Sequence, residues 1–282
     1  MDIQILNHDQ VLQLLPKRVL NSHKGNYGRV LLLCGSRGYT GAAALAAMGA
    51  LRTGAGLVFL AVPESIYAIE AAKLTEPIIY PLPDDDGTFS VSAVRNVLDM
   101  LERKDAVLIG PGIGKSEGSL AVVKAVLENF PGPVVLDADG ISLLHEHKDI
   151  LRERTAPTIM TPHDGEFQRI GGILTEDRIS AATNLAQKLG VIVLLKGPGT
   201  VITDASACYQ NPTGNPGMAT GGSGDVLAGI ITALLGFGIP PLEAAACGAW
   251  LHGAAGDICA DEIGQFGMLP SDMINVLPRL LK

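Results

Sequence analysis

The chain repeats one local pattern: a strand-length apolar run, a cluster of glycine or aspartate, then a helix-length stretch. The clearest instance is Arg29 to Cys34, followed by Gly35-Ser-Arg-Gly-Tyr-Thr-Gly41 and the alanine-rich Ala42 to Arg52. Leu57 to Val62 reads as a second strand, Glu64 to Leu74 as a helix and Ile78 to Tyr80 as a third strand. Helix Ser90 to Arg103 leads to strand Ala106 to Ile109, the turn Gly110-Pro-Gly-Ile-Gly114 and helix Glu117 to Asn129. Strand Val134 to Leu136 ends in Asp137-Ala-Asp-Gly140, and strand Thr158 to Met160 opens into a loop at Thr161. Helix Ile179 to Leu189 feeds strand Val191 to Leu195, which closes on Lys196-Gly-Pro-Gly-Thr200. Val201 to Thr203 and Ala207 to Tyr209 read as an antiparallel hairpin at a sheet edge. Asp225 to Leu235, Leu242 to Cys259 and Pro270 to Leu281 read as helices, as does Asp9 to Leu15 before the polar loop Arg18 to Tyr27. Such alternation dictates an α/β fold with a mostly parallel central sheet, helices on both faces and a short antiparallel edge. With no linker-like shift in composition and no internal repeat, residues 1–282 are expected to form a single domain.

In open parallel sheets ligands bind outside the carboxyl ends of the strands, and the glycine clusters sit predominantly there. The most telling is Thr220-Gly-Gly-Ser-Gly-Asp225, which runs directly into the apolar stretch Val226 to Leu235. Small residues at a helix start leave backbone N–H groups free to face an anion, aided by the helix dipole. Asp225 falls in the first turn, where the dipole is expected to keep a carboxylate ionised near neutral pH. A phosphate cradle beside a base is what phosphoryl transfer to a hydroxyl requires. The plain alternative is a glycine-rich turn with a first-turn acid. Two look-alikes fail. The run Gly110 to Ser116 lacks the first glycine of a P-loop, Ile109 standing in its place, and Gly35, Gly38 and Gly41 do not follow the dinucleotide spacing GxGxxG.

The remaining candidates each have two readings. His163, in Thr161-Pro-His-Asp-Gly-Glu166, is either an exposed loop histidine or a site residue, and Lys196 either a polar strand end or a phosphate or nucleotide contact. Asp137 and Asp139 either cap the next helix or help hold hydrated Mg²⁺, which leaves the metal ligands undetermined. His252 and Trp250, in an alanine-rich helix, read as packed core residues. A formal charge of −8 without a basic run argues against nucleic acid as the principal partner. Cys34, Cys208, Cys247 and Cys259 lack metal-ligand spacing and read as reduced core residues of a cytoplasmic protein. No segment has the length and apolarity of a membrane span, and Met1 to Gln13 does not read as a secretory signal.

Taken in order, these motifs, with Asn215-Pro-Gly-Met218 and His252-Gly-Ala-Ala-Gly-Asp257, span nearly the whole chain. The set resembles the ADP/ATP-dependent NAD(P)H-hydrate dehydratases of the ribokinase-like superfamily. The resemblance implies a repair lyase whose substrate is the S form of hydrated NADH or NADPH, phosphorylated at the C6 hydroxyl from ADP or ATP and then relieved of phosphate. It implies Asp225 as general base and the amides of Gly222, Ser223 and Gly224 as an anion hole. Ala42, Gly114, His163 and Asp225 would line the hydrated-dinucleotide site. Lys196, Gly197, Pro198, Gly199, Thr200 and Gly224 would contact the adenine nucleotide. It further implies Mg²⁺, ADP in preference to ATP, and a homo-oligomer, often a tetramer. Met1 to Lys24 is too short for the epimerase domain that some relatives carry, so action on the S epimer alone is expected. Arg37 and Lys24 are the candidates for a 2′-phosphate contact. A vitamin-precursor kinase of the same superfamily, or a non-catalytic nucleotide sensor, would share the Asp225 loop.

Overall fold

The computed structural model describes residues 2–282. Its strands in chain order are β1 (Ile3–Gln4), β2 (Arg29–Leu33), β3 (Leu57–Pro63), β4 (Ile78–Leu82), β5 (Asp84–Asp85), β6 (Thr88–Phe89), β7 (Ala106–Ile109), β8 (Val134–Leu136), β9 (Thr158–Met160), β10 (Ile192–Leu195), β11 (Val201–Thr203) and β12 (Cys208–Gln210). The helices are α1 (His8–Leu14), α2 (Thr40–Thr53), α3 (Glu64–Lys73), α4 (Ala93–Leu101), α5 (Glu117–Asn129), α6 (Asp139–Ser142), α7 (Asp149–Glu153), α8 (Asp164–Arg169), α9 (Arg178–Leu189), α10 (Ser223–Gly236), α11 (Pro241–Glu262) and α12 (Pro270–Val276).

Ten strands form one sheet in the order β1-β12-β11-β10-β9-β8-β7-β2-β3-β4, while β5 and β6 make a separate hairpin. Every pairing in the large sheet is parallel except those of β11 with β10 and β12. From β2 the chain steps outward one way through β3 and β4, then returns to β7 and steps the other way through β8, β9 and β10. The reversal leaves a crevice at the carboxyl ends of β2 and β7, the usual ligand position in such sheets.

The strands are apolar on both sides because both sides are covered. Val30, Leu32, Cys34, Leu108, Val135 and Leu194 pack with α2, α10 and α11. Their alternates Leu31, Leu33, Val107, Ile109, Leu136 and Leu195 pack with α4, α5 and α9. Such period-two alternation between two covered faces is why these strands read as unbroken apolar runs. All four cysteines are free and buried. Among the described residues no helix is long and apolar enough to cross a membrane.

One packing detail sets the site. Helices α2 and α10 approach closely through small residues: a Cβ on Gly229 would lie 2.1 Å from the Ala46 carbonyl oxygen, and one on Gly49 would lie 2.7 Å from that of Val226. The alanines and glycines of Ala42 to Arg52 therefore allow the first turns of α10 to lie against the middle of α2.

Several local expectations need correction. The β11–β12 hairpin is antiparallel but does not form the edge, because β1 adds outside β12 in parallel. Two residues are too few for periodicity to reveal such a strand. The β5–β6 hairpin and helix α7 fall in stretches to which the sequence assigned no element, and helix α8 falls in the stretch after Thr161 expected as a loop. The last helix stops at Val276 because Pro278 lies just beyond, and a 3₁₀ turn, Leu277–Arg279, completes it. Trp250 is only half-buried and stacks on His8 with ring centroids 5.4 Å apart.

Candidate active site

The turn before α10 is built as an anion cradle. Gly222 caps the helix at φ 97°, a left-handed conformation that favours glycine, and a Cβ there would also lie 2.5 Å from Leu45 Cδ1. The Ser223 N–H donates a long bond of 3.4 Å to the Thr220 carbonyl, whereas the Gly222 and Gly224 amides find no partner among the described residues. Two unpaired donors thus stand at the positive end of a 14-residue helix.

Beside them lies a buried charge cluster. Lys196, at the end of β10, donates to Asp137 Oδ1 over 2.9 Å and stands 3.9 Å from Glu166 Oε2. The Thr161 hydroxyl donates to the same Asp137 oxygen over 2.6 Å. A Cβ on Gly224 would lie 3.3 Å from Lys196 Nζ and 3.9 Å from Asp137 Oδ2, so the cluster abuts the cradle. Burial pulls the Lys196 ammonium pKa down, but the carboxylates of Asp137, Glu166 and Asp225 outweigh it and the net shift is upward.

Asp225 differs from its expected behaviour. Burial first, then the neighbouring Asp137 and Glu166 carboxylates, raise its pKa to about 7, with Lys196 pulling the other way. The helix dipole favours the ionised carboxylate, but desolvation and like charge dominate here. A carboxyl poised near neutral pH can take up a proton that an ordinary aspartate would not hold.

A cavity of about 1000 Å³ opens in front of this cluster, lined by His163, Lys196 to Thr200, Asn211 to Pro216, Ser223, Gly224 and His252. Its volume suits a nucleotide-sized ligand. Arg178 on α9 fixes the strap 196–200 by donating to the Lys196 carbonyl over 2.7 Å and to Asp164 over 2.9 Å. The loop 211–218 is held down by α11. Asn211 donates to the Ala249 carbonyl, Thr213 to the Trp250 carbonyl, and Asp257 accepts from the Gly214 amide and the Asn215 side chain. His163 caps α8 by accepting from the Gly165 amide at Nδ1, leaving its ring half exposed at the mouth.

Ala42 and Gly114 do not line this cavity but gather at the neighbouring crevice between β2 and β7. The Gly35 amide donates to the Pro111 carbonyl over 2.8 Å, tying the two glycine loops together. A Cβ on Gly112 would lie 3.0 Å from that of Ala42, and one on Gly114 would lie 2.8 Å from Thr88. Asp139 caps neither α6 nor any other helix; its carboxylate accepts from the Gly114 amide over 3.1 Å. Of the two 2′-phosphate candidates, Arg37 follows β2 and pairs with Asp86. Lys24 lies at the other end of the sheet, its carbonyl packed under Gly56 before β3, and is withdrawn. Among the described residues no group of three or more His, Cys, Asp and Glu is arranged to hold a metal ion.

Sequence reading missed Arg178, Asn211, Thr213 and Asp257 as organisers of the site. They touch groups across long sequence separations; Asp257 falls in a motif the sequence offered, but its role there shows only in the fold. His252 was read as packed, and it is buried, but it also bonds Ser223 at the cradle.

A mostly parallel sheet with a glycine turn opening α10, one carboxylate in its first turn and a lysine against that turn at the wall of a nucleotide-sized cavity defines a ribokinase-like α/β protein. Residues 30–279 match the family model for NAD(P)H-hydrate dehydratase, and the chain belongs to that family. It is 44% identical over 274 residues to the bifunctional NAD(P)H-hydrate repair enzyme Nnr of Moorella thermoacetica, covering 95% of this chain and 52% of that protein. The chain thus spans about half the length of the curated relatives it matches. The ADP/ATP-dependent NAD(P)H-hydrate dehydratase of Bacillus subtilis, co-crystallised with ATP/Mg²⁺, superposes with a TM-score of 0.86 at 33% identity, covering 99% of this chain and 98% of that one. A ribokinase-like superfamily protein from Enterococcus faecalis gives a TM-score of 0.86 at 28% identity, covering 99% and 95%.

Proposed function

We propose that this chain dehydrates the S form of hydrated NADH or NADPH at the expense of ADP or ATP, with ADP as the preferred donor. The observation that carries the reading is Asp225, with a pKa raised to about 7, beside two unpaired amides and Lys196 at a nucleotide-sized cavity. Hydroxide is a poor leaving group, so direct loss of water from the hydrated ring is slow. Asp225 would take the proton of the C6 hydroxyl as that oxygen attacks the terminal phosphorus, releasing AMP or ADP. The C6–O bond of this phosphate ester then breaks, inorganic phosphate departs with the bonding electrons, a proton is lost from C5, and the C5–C6 double bond of the nicotinamide ring is restored.

The Gly222, Ser223 and Gly224 segment would face the transferring phosphoryl group, where a positioned donor is worth about 3 kcal/mol. Lys196 and the strap through Gly197, Pro198, Gly199 and Thr200 would hold the adenine nucleotide. Ala42, Gly114 and His163 would hold the hydrated dinucleotide. Asp137 and Glu166 stand against a single Lys196 with Asp225 nearby, and this excess of negative charge suits a cation arriving on the nucleotide's phosphates rather than a preformed metal site. Asp137, whose Oδ2 is free of Lys196 and Thr161, would hold such a Mg²⁺ ion. When bound, the ion neutralises phosphate charge. The same reading takes the chain as a single cytoplasmic domain that assembles into a homotetramer, for which exposed Ile263, Phe266 and Leu269 offer apolar surface.

The test is incubation with purified (S)-NADH hydrate and Mg²⁺, with ADP, ATP or no nucleotide. Recovery of reduced nicotinamide only with nucleotide, matched by equimolar phosphate, is the expected result. A stable phosphorylated product without recovery would point instead to a small-molecule kinase.

A further inference from the structure

The buried pair His252 and Ser223 links the middle of α11 to the first turn of α10. His252 Nε2 lies 2.8 Å from the Ser223 carbonyl oxygen and 3.2 Å from the Ser223 hydroxyl oxygen. A carbonyl oxygen only accepts, so the short contact requires Nε2 to carry the proton. A protonated Nε2 has no lone pair in the ring plane, so the hydroxyl beside it cannot donate to the histidine and serves as a second acceptor. Burial pushes the His252 pKa down to about 4, which keeps the ring neutral across the physiological range.

The Ser223 hydroxyl hydrogen is therefore left to point elsewhere. Among the described residues His252 is the one hydrogen-bond partner of the Ser223 hydroxyl. Ser223 is buried and lines the 1000 Å³ cavity at the cradle. Its own amide is partly occupied, turned back on the Thr220 carbonyl at 3.4 Å, whereas those of Gly222 and Gly224 stay free.

We propose that the Ser223 hydroxyl donates a hydrogen bond to an oxygen of the transferring phosphoryl group, making Ser223 a catalytic residue, and that His252 is the positioning residue that aims it. The inference rests on the phosphoryl-transfer reading above and assigns to a side chain part of what the backbone amides do there. Nothing is transferred to Ser223 or His252. The hydroxyl keeps its proton throughout, and the bond strengthens as negative charge develops on the phosphoryl oxygens.

The experiment measures kcat and nucleotide Kd for wild type, Ser223→Ala, Ser223→Thr, His252→Phe, His252→Gln and the double variant Ser223→Ala/His252→Phe. Melting temperature serves as the check on folding. Loss of a donor to developing charge predicts that Ser223→Ala lowers kcat by about 10²-fold while nucleotide Kd moves less than about threefold. Ser223→Thr keeps a hydroxyl and retains most turnover. His252→Phe lowers kcat by about tenfold in the Ser223 background and by almost nothing in the Ser223→Ala background, a non-additivity that a merely structural histidine would not produce. His252→Gln, which restores an N–H donor, recovers activity.

Wild-type kcat in Ser223→Ala, alongside an active wild type, overturns this inference and leaves the dehydratase reading intact. An equal loss from His252→Phe in both backgrounds overturns the positioning role. Should His252→Phe fail to fold, the Ser223→Ala and Ser223→Thr pair still decides the hydroxyl's part. A folded wild type that restores no reduced nicotinamide overturns the underlying reading, and this inference with it.

Discussion

The two ends of the sheet make an instructive pair. Each carries a cavity bordered by glycine turns. The amino end has about 610 Å³ among Gly25, Gly28, Lys104, Asp105 and Gly236 to Pro241, and the carboxyl end about 1000 Å³. They differ in what charge does there. At the amino end Asp105 is exposed and spends its carboxylate on the Arg29 amide, 2.7 Å away, while Lys104 rests over the Phe59 ring. At the carboxyl end buried Asp137 and Glu166 converge with half-buried Lys196 and Asp225, and two helix amides stay unpaired. Concavity and glycine are common to both ends. Buried charge kept near its tipping point belongs to one, and it marks the candidate active site.

The sharpest way to break that contrast is Asp225→Asn. Turnover should fall by about 10²–10⁴-fold with nucleotide binding retained, as measured by steady-state kinetics and equilibrium titration. The same substitution should stabilise the fold above neutral pH. The folded pKa of Asp225 lies above its unfolded value, so wild-type stability falls as pH rises from about 4 to about 7. The neutral asparagine escapes that loss, and calorimetry at pH 8 should show a melting temperature roughly 2–4 °C higher.

Lys196→Met comes next. Removing the lysine leaves Asp137 and Glu166 with only neutral donors from Thr161 and the His163 amide and no countercharge, and loss of one member of a buried pair costs about 3–5 kcal/mol, readable by denaturant melts. Because Lys196 pulls the Asp225 pKa down, the variant's acid limb of activity should also move to higher pH.

A smaller effect is the wild-type pH profile itself. With Asp225 as the base, kcat/KM in the free enzyme should decline about tenfold per unit below a pKa of about 7. A flat profile down to pH 5 would mean that some other group takes the proton. The smallest effect tests the amino end. Asp105→Asn should leave turnover unchanged and cost at most about 1 kcal/mol, the worth of one exposed hydrogen bond to the Arg29 amide.

How much of this was legible beforehand follows from what local sequence encodes. The alternation of apolar runs and glycine turns revealed the parallel sheet, because both of its faces are covered and the strands read as unbroken. The cradle at Gly222 to Asp225 was legible because positive φ and close approach restrict the residue type. The Asp225 pKa was not, since it depends on Asp137 and Glu166, which arrive from other strand ends. Nor were Arg178, Asn211 and Asp257, whose partners are backbone atoms 18 to 43 positions away. Strand β1 escaped because two residues show no period.

The central claim is that Asp225 moves the proton that lets phosphate replace hydroxide as the leaving group. The measurement closest to it is return of the reduced-nicotinamide absorbance from (S)-NADH hydrate with ADP and Mg²⁺, for wild type and Asp225→Asn side by side. The account predicts recovery by the wild type and none on the same timescale by a folded, nucleotide-binding variant. Equal recovery by both proteins would contradict it.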